Sequence, residues 1–377
     1  MPLIDFAILT GLREEFDTLR KIFPELKEIS EGAELWYRTR VIADGKSSYE
    51  VVISFQDKMG PLDAQALTAK ALGRWHPALI ILVGIAGTFH KEVRLGDVLV
   101  SQQVFYYDLA KATAEGLRYR PQGYPCSTVL IRQTEALRSS PREFGAWQQA
   151  AKSIAASEAE RLSAQGLAKL PGKRLAEMQR LLRDCQPEIH FGTVASGSLV
   201  IADKAKQKEL LALHGQIIGT EMEGAGMLHA TFDQELPTPA VVIKGISDAA
   251  DMGKALLDSQ GSWRTLAKEN SARLVLQVIR RGRIRPLETD QFELDPSPGS
   301  PADARIVIPD PTASGVSFLH FPRLLVPRGP LTEIGFAAEA FAGVEPIGIA
   351  KLVVQYVDYD GAAKQARTLR TEWRPLE

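Results

Sequence analysis

Three acidic residues stand where an apolar segment of the sequence ends or where a helix begins. Asp248 closes the run VVIKGISD, Glu223 follows IIGTEM, and Glu15 comes shortly after DFAILT. In an open α/β sheet, ligands bind outside the carboxyl ends of the strands. Carboxyl groups that meet there could donate a proton, bind hydroxyl groups or stabilise a positive charge. A structural alternative is open for each residue, because acids also cap helices and favour their first turns.

Glu15 has an unusual place on its predicted helix. The apolar stripe of that helix consists of Leu12, Phe16, Leu19 and Phe23. Glu15 lies at the side of this stripe, whereas Glu14 and Asp17 point elsewhere. A carboxylate that leans toward the core suggests a functional role. A first-turn acid favoured by the helix dipole is the alternative.

Glu221 and Glu223 are two residues apart in the segment TEMEG. In an extended chain they share one face, and Met222 lies opposite. The small residues that follow allow close approach of the backbone and begin a helix. A carboxylate at such a junction can accept hydrogen bonds from two vicinal hydroxyl groups, and a pair of capping acids is the alternative.

A second small-residue segment, LVGIAGTF, ends the apolar run ALIIL. Gly84, Ala86 and Gly87 leave room for a ligand to lie against the backbone. A tight turn is the alternative interpretation of the same residues.

Secondary-structure patterns place these residues on an α/β domain. Strand-like runs alternate with helix-like runs up to about residue 282, and several strands are continuous apolar runs, as in sheets covered on both faces. The alternation predicts a mixed, mostly parallel sheet. The predicted strands are DFAILT, YEVVISF, ALIILVGI, GDVLVSQQVF, HFGTVASG, QIIGTEM and PAVVIKGIS.

Three further segments complete the predicted domain organisation. Residues 142–186 are rich in Ala, Gln, Arg and Lys and read as an inserted helical segment, either a solvated hairpin or a lid that meets an anionic substrate. Residues 283–315 are dense in Pro, Asp, Ser and Gly, which predicts a linker. Residues 316–377 alternate in a strand-like way and predict a small β-sandwich-like module.

Bulk properties narrow the class of protein. The net charge of −1 argues against a nucleic-acid coat, and no apolar run approaches the length of a membrane span. The N-terminal residues do not have the pattern of a signal peptide. Cys126 and Cys185 give no disulfide framework, and neither they nor the histidines have metal-ligand spacing. We therefore expect a cytoplasmic protein without a metal or organic cofactor.

The motifs together resemble the nucleoside phosphorylase superfamily, and are closest to its hydrolytic branch, the methylthioadenosine/S-adenosylhomocysteine nucleosidases. The resemblance covers roughly residues 1–282 and implies a three-layer α/β sandwich around a twisted mixed sheet. The matching segments, in order, are LREEF (12–16), VGIAG (83–87), LGDVLVS (95–101), VASG (194–197), TEMEG (220–224) and ISDAAD (246–251).

The resemblance implies hydrolysis of the N-glycosidic bond of a purine nucleoside. Asp248 would be the general acid that protonates N7 of the leaving purine. Glu223 would bind the ribose 2′- and 3′-hydroxyl groups, and Glu15 would orient and deprotonate the attacking water. The other residues expected to contact the substrate are Met222, Glu221, Ile85, Ala86, Gly87, Ser247 and, at the position of the family's stacking aromatic residue, Val200.

Several functions stay open within this resemblance. The phosphorolytic relatives hold phosphate with an arginine and a serine where this chain has Leu82 and Ile85, which favours water as the nucleophile. The alternatives are a purine nucleoside phosphorylase, a housekeeping methylthioadenosine-type nucleosidase, and a non-catalytic nucleoside sensor whose C-terminal module docks a protein or small-molecule partner. Fused domains of this kind also resemble antiviral defence effectors that cleave ATP or dATP. Lys58 and the basic residues of 142–186 are then candidates for binding phosphate, and the resemblance implies a homo-oligomer.

Overall fold

The computed structural model describes residues 4–29, 35–43, 48–114, 116–164, 172–234, 237–249 and 261–284. The chain divides into two units, Met1–Thr289 and Asp290–Glu377. Apart from its first two residues, the predicted linker lies outside the described residues, and so does the predicted β module. The domain boundaries proposed for 283–315 and 316–377 therefore stay predictions.

The described chain alternates strands with helices. The strands are β1 (Phe6–Thr10), β2 (Lys27–Glu28), β3 (Tyr37–Ile42), β4 (Ser48–Phe55), β5 (Leu79–Gly87), β6 (Val98–Tyr106), β7 (Ala110–Thr113), β8 (Gly116–Tyr119), β9 (Gln122–Pro125), β10 (Ile189–Ser196), β11 (Ile217–Glu221) and β12 (Ala240–Asp248). The helices are α1 (Arg13–Ile22), α2 (Pro61–Trp75), α3 (Thr128–Arg138), α4 (Pro141–Ala164), α5 (Gly172–Arg183), α6 (Lys204–Leu213), α7 (Gly224–Phe232) and α8 (Ser262–Arg280).

The central sheet is mixed, as the sequence predicts. Its strand order is β11-β10-β6-β12-β5-β1-β4-β3-β2, and β9 pairs with β6. The strands β12, β5, β1 and β4 are mutually parallel neighbours, so their carboxyl ends lie at one edge. The end of β11 crosses the end of β5, where Thr220 pairs with Gly87 in antiparallel register. The segment TEMEG is thereby brought to the same edge.

Helices cover both faces of this sheet. Residues of β12 alternate between the faces, because successive side chains of a strand point in opposite directions. Val242 lies against the start of α7 at Gly224, whereas Gly245 lies so close to Ala267 of α8 that an added Cβ would come within 2.0 Å of its carbonyl oxygen. Helices α2 and α7 thus form one outer layer, and α1, α8, α3 and α4 form the other. The three-layer fold expected from the sequence is confirmed.

The predicted inserted segment 142–186 is helical, but it is not simply a solvated hairpin. Helix α4 buries one face against α5 and α8, and Trp147 donates a hydrogen bond from its indole to the carbonyl of Asn270. The buried side chains of this face are Trp147, Ala151, Ala155, Ala159 and Leu162. Small residues at helical spacing let the helices pack closely, so in α4 alanine marks a packed face rather than a solvated one.

Candidate active site

Glu15 is buried at the start of α1, where its carboxylate accepts three backbone hydrogen bonds. Oε2 accepts from the N–H groups of Gly11 and Leu12, at 2.9 and 2.8 Å, and Oε1 accepts from Ile85 N–H at 2.8 Å. Glu15 is only 3% exposed, whereas Glu14 and Asp17 on the same helix are half-buried. The prediction that Glu15 leans toward the core is confirmed, and its position is more specific than that of an acid favoured by the helix dipole alone.

Two glycines make room for the acids. A Cβ on Gly84 would lie 2.2 Å from Oε1 of Glu15, and a Cβ on Gly11 would lie 2.8 Å from the carboxyl carbon of Glu223. Both distances are shorter than any real contact of a Cβ atom. Gly84 lies within strand β5 and not in a turn, and its missing side chain allows the close approach of the Glu15 carboxylate.

Glu221 and Glu223 differ in what their carboxylates contact. Glu221 accepts hydrogen bonds from the backbone N–H groups of Glu223 and Gly224, at 2.9 to 3.0 Å. Glu221 therefore caps the start of α7, which is the alternative that the sequence offers to binding hydroxyl groups. Glu223 instead accepts a hydrogen bond from the ammonium of Lys244 at 3.0 Å and a longer one, 3.4 Å, from Gly60 N–H. Glu223 therefore contacts other elements directly, whereas the hydrogen bonds of Glu221 are mainly to the start of α7.

Lys244 is the buried cation of the site, and sequence reasoning missed it. Its side chain is 1% exposed, and Nζ lies 3.8 Å from Glu221 Oε2 as well as 3.0 Å from Glu223 Oε2. A lysine in the middle of an apolar strand run is rarely buried unless it is paired. That rule is the signal that could have identified it, because the apolar run on both sides of Lys244 already predicts burial.

The charged groups of this cluster shift one another's pKa values. Burial raises the pKa of the Glu15 carboxyl, while Lys244 acts to lower it and Glu223 adds to the rise. The pKa of Glu221 is raised in the same way, first by burial. Burial alone would lower the pKa of Lys244, but the carboxylates of Glu223, Glu15 and Glu221 raise it above its ordinary value. Lys244 is therefore a permanent cation at neutral pH, with more carboxyl groups around it than one charge can neutralise.

Asp248 ends β12 at the same edge of the sheet. It is 1% exposed, and Ser247 donates a hydrogen bond from Oγ to its Oδ2 at 3.0 Å. A register shift after Ile246 brings Asp248 opposite Gly87 of β5, and its carbonyl accepts from Thr88 N–H. Ile85, two residues before Gly87, binds Glu15. Asp248 therefore lies beside the end of the strand that binds Glu15, although the two acids come from distant parts of the sequence.

The remaining predicted contact residues lie at different depths. Met222, between the two glutamates, and Ile85 are half-buried, and Ala86 is buried with its carbonyl accepting from Ser247 Oγ at 3.4 Å. Val200 lies in the loop between β10 and α6 and is 52% exposed, and no described contact joins it to the acids. Its predicted place beside the base stays a prediction.

Within the described residues, no group of three or more histidine, cysteine or acidic side chains could hold a metal ion. Cys126 and Cys185 are free and buried. Burial raises the pKa of Cys126 to about 11 and that of Cys185 to about 12, so neither is a reactive thiolate at neutral pH. In the same part of the chain, none of the helices is long and apolar enough to cross a membrane.

A three-layer α/β sandwich with acids at the carboxyl edge of the sheet defines a class of protein, and comparison with known structures agrees. The methylthioadenosine/S-adenosylhomocysteine nucleosidase of S. pneumoniae, solved with a transition-state inhibitor, superposes with a TM-score of 0.53 at 18% identity, over 74% of this chain and 99% of that one. At this identity the likeness establishes the fold alone. The sequence model of the Phosphorylase superfamily matches residues 5–280, and the chain belongs to this family.

Curated relatives at the sequence level are nucleosidases. The ATP nucleosidase Cap17 of Escherichia coli (strain KTE188) is 27% identical over 285 residues, which are 74% of this chain and 51% of the relative. The chain thus spans about half the length of that protein. The 5′-methylthioadenosine/S-adenosylhomocysteine nucleosidase of Marinomonas sp. (strain MWYL1) is 24% identical over 236 residues, 63% of this chain and 84% of the relative.

Proposed function

We propose that the chain hydrolyses the N-glycosidic bond of purine nucleosides or nucleotides. The observation that carries this proposal is the buried cluster of Glu15, Glu223 and Lys244 at the edge of the sheet where Asp248 ends β12. Carboxylates in a buried site stabilise the positive charge of an oxocarbenium-like transition state far better than water does. The nucleosidases among the curated relatives support the same reaction.

Each acid has a separate role in the proposed mechanism. Asp248 gives its proton to N7 of the purine, so that the bond between C1′ and N9 breaks with the electron pair leaving on a neutral base. Glu223 accepts hydrogen bonds from the ribose 2′- and 3′-hydroxyl groups. Glu15 takes a proton from the water that attacks C1′, which leaves ribose with a new hydroxyl group. Met222, Ile85, Ala86 and Gly87 line the sugar, and Ser247 holds Asp248 in place.

Lys244 supplies the charge that this arrangement needs. Without Lys244, the neighbouring buried carboxyl groups of Glu15, Glu221 and Glu223 would retain protons, since like charges disfavour ionisation. Burial raises the pKa of Glu15 and of Glu221, and Lys244 opposes that rise in both. It thereby favours the ionised form of Glu15, which is the form that accepts a proton from water.

Water is a better nucleophile for this site than phosphate. Leu82, at one position where phosphorolytic relatives bind the anion, is a core residue that pairs with Leu9. Ile85 offers its N–H to Glu15 and has no charge to offer an anion. Phosphate at C1′ would also approach the Glu15 carboxylate, which repels it.

A nucleotide is the substrate we favour, with ATP or dATP as the leading candidates and adenine as the product. The name of the Escherichia coli relative supports this choice, and an antiviral defence role would follow from depletion of the nucleotide pool. The housekeeping methylthioadenosine reaction is the second candidate, which the Marinomonas relative supports. We also expect a homo-oligomer.

The decisive assay incubates the purified chain with ATP, dATP, adenosine and methylthioadenosine, each with and without inorganic phosphate. Chromatography then follows the release of adenine. The proposal predicts adenine release without phosphate and a higher kcat/KM for the nucleotides than for the nucleosides. Release that occurs only with phosphate and yields ribose 1-phosphate would overturn hydrolysis, and equal or reversed preference would overturn the nucleotide assignment.

A further inference from the structure

A cleft of about 390 Å³ lies at the carboxyl ends of β1 and β4. Its volume is in the range of small-molecule sites. Residues of the β1–α1 and β4–α2 connections form its walls. The lining residues are Gly11, Leu12, Arg13, Phe55, Gln56, Asp57, Lys58 and Met59.

The walls of this cleft are the same backbone segments that hold two of the acids. Gly11 and Leu12 donate their N–H groups to Glu15, and Gly60, next to the lining residue Met59, donates to Glu223. The cleft is therefore immediately outside the place proposed for the ribose. Asp248 lies on β12, on the far side of β5 and β1 from β4. Along the edge of the sheet, Asp248 comes first, Glu15 and Glu223 come next, and the cleft comes last. From β12 to β4 there are three strand spacings, or about 14 Å.

A ribose at Glu15 and Glu223 has only one remaining substituent to place in the cleft. C1′ carries the base toward Asp248, and the 2′- and 3′-hydroxyl groups are bound by Glu223. The 5′ position is left, and the order of the strands directs it toward β4. Whatever the substrate carries at C5′ is then recognised by the lining of the cleft.

Two cations of the lining are available to an anion. Lys58 is exposed and forms no ion pair with a described residue. The Arg13 guanidinium lies 4.8 Å from the ring centre of Phe55, which fixes it by a cation–π contact at the mouth. Arg13 also forms an ion pair with Asp17 at 3.3 Å, and both side chains are exposed. This pair therefore contributes little to stability, and another anion can replace Asp17. Asp57 is the one carboxylate among the lining residues.

Gln56 provides an independent sign that a ligand belongs in the cleft. It is 5% exposed, and its side-chain Nε2 has no hydrogen-bond partner among the described residues. A buried amide donor without an acceptor destabilises a protein by roughly 1–3 kcal/mol, so such donors are rare and call for an explanation. A ligand oxygen in the cleft would satisfy it.

From this arrangement we infer that the cleft of Arg13, Gln56 and Lys58 binds the 5′-phosphate groups of a purine nucleotide. The inference rests on the proposed function for the position of the ribose. The basic residues of 142–186 stay a separate prediction, because none of the described residues in that segment lines the cleft. Lys58, which the sequence suggested, is retained, and Arg13 and Gln56 are added.

The test compares the wild type with the double variant Arg13→Gln/Lys58→Gln. The matched control is Arg20→Gln/Lys21→Gln, which removes the same two charges from exposed positions in the last turn of α1. The first measurement is the ratio of kcat/KM for ATP to that for adenosine. Since charge-assisted hydrogen bonds to phosphate are lost, the cleft variant should lower this ratio by roughly 10–100-fold. The control should leave it unchanged, and an unchanged ratio in the cleft variant overturns the inference.

A second measurement does not depend on turnover. Calorimetric titration with ribose 5-phosphate should give an affinity that the cleft variant weakens at least tenfold and the control does not. If the wild type cleaves no substrate, the proposed function fails, and this titration still decides whether the cleft binds a sugar phosphate. If adenine release instead depends on inorganic phosphate, and the cleft variant removes that dependence, the cleft serves a free phosphate and the inference is wrong.

Discussion

The ammonium of Lys244 lies 3.0 Å from a carboxylate oxygen of Glu223, and neither side chain is more than 7% exposed. Glu223 is the group proposed to hold the ribose hydroxyls. The same cation shifts the pKa values of Glu15 and Glu221, which lie on other elements. Lys244 therefore interacts with three carboxyl groups from different elements. These are Glu221 at the end of β11, Glu223 at the start of α7 and Glu15 in α1.

Replacing Lys244 by methionine should destabilise the fold by about 3–5 kcal/mol, the usual consequence of removing one partner from a buried ion pair. Urea unfolding at pH 7 measures it. Lys268→Met is a suitable control, since its partner Glu14 is 41% exposed and keeps an ion pair with Arg264, so the loss should be under about 1 kcal/mol. Equal losses in the two variants would contradict the central place given to Lys244.

The effect of Lys244→Met should depend on pH. The folded-state pKa values of Glu15 and Glu221 lie above their unfolded values. Such groups contribute stability below the unfolded pKa, and this is lost as pH rises through the folded pKa. Without Lys244 both values rise further, so the variant should lose more stability than the wild type between pH 5 and pH 8. A difference in unfolding free energy that is constant over this range would refute the proposed coupling.

The rate of hydrolysis should fall on the acidic side at a higher pH than an ordinary glutamate would give. Glu15 must be ionised to accept a proton from water, and burial raises its pKa. Glu15→Gln should lower kcat by roughly 10²–10⁴-fold and remove this acidic limb from the residual activity. A limb that persists unchanged in Glu15→Gln would assign the titration to another group.

Gly84→Ala should reduce activity without touching a reacting group. Its Cβ would lie 2.2 Å from Oε1 of Glu15, which must move. Displacement of a catalytic group by about 1 Å can lower the rate by on the order of 10²-fold. Gly73→Ala in α2 is the control, because nothing lies within 4 Å of its added Cβ and a helical alanine should stabilise by about 0.5–1 kcal/mol. Full activity in Gly84→Ala would show that the position of Glu15 does not matter.

The sequence predicts the central strands well because each one is a long apolar run. β5 and β12 are buried at nearly every position, which is the pattern of strands covered on both faces. By contrast, β3 lies beside the edge strand β2 and has no apolar run, because its buried residues alternate with arginines. Helix α6 buries only Leu210 among its residues, so its helical pattern is weak. Neither element is among the predicted ones.

The acidic residues of the site could be predicted from the sequence, but the buried lysine that pairs with them could not. Glu15, Glu223 and Asp248 each end or follow a recognisable element. Lys244 lies inside β12, where sequence alone gives a break in an apolar run. Its three partners become neighbours only when the end of β11 crosses β5 and α1 packs beside Gly84. Charge pairing of this kind depends on tertiary packing, which a single sequence does not display.

The central claim, that these acids form one catalytic centre, is tested most directly by Asp248→Asn. Asparagine keeps the shape of the side chain but has no proton of suitable acidity to give to the purine. The measurement pairs adenine release from ATP with calorimetric titration of ATP on the same preparation. We predict that turnover falls by roughly 10²–10⁴-fold while the dissociation constant stays within about threefold of the wild-type value. Undiminished adenine release by Asp248→Asn would contradict the account.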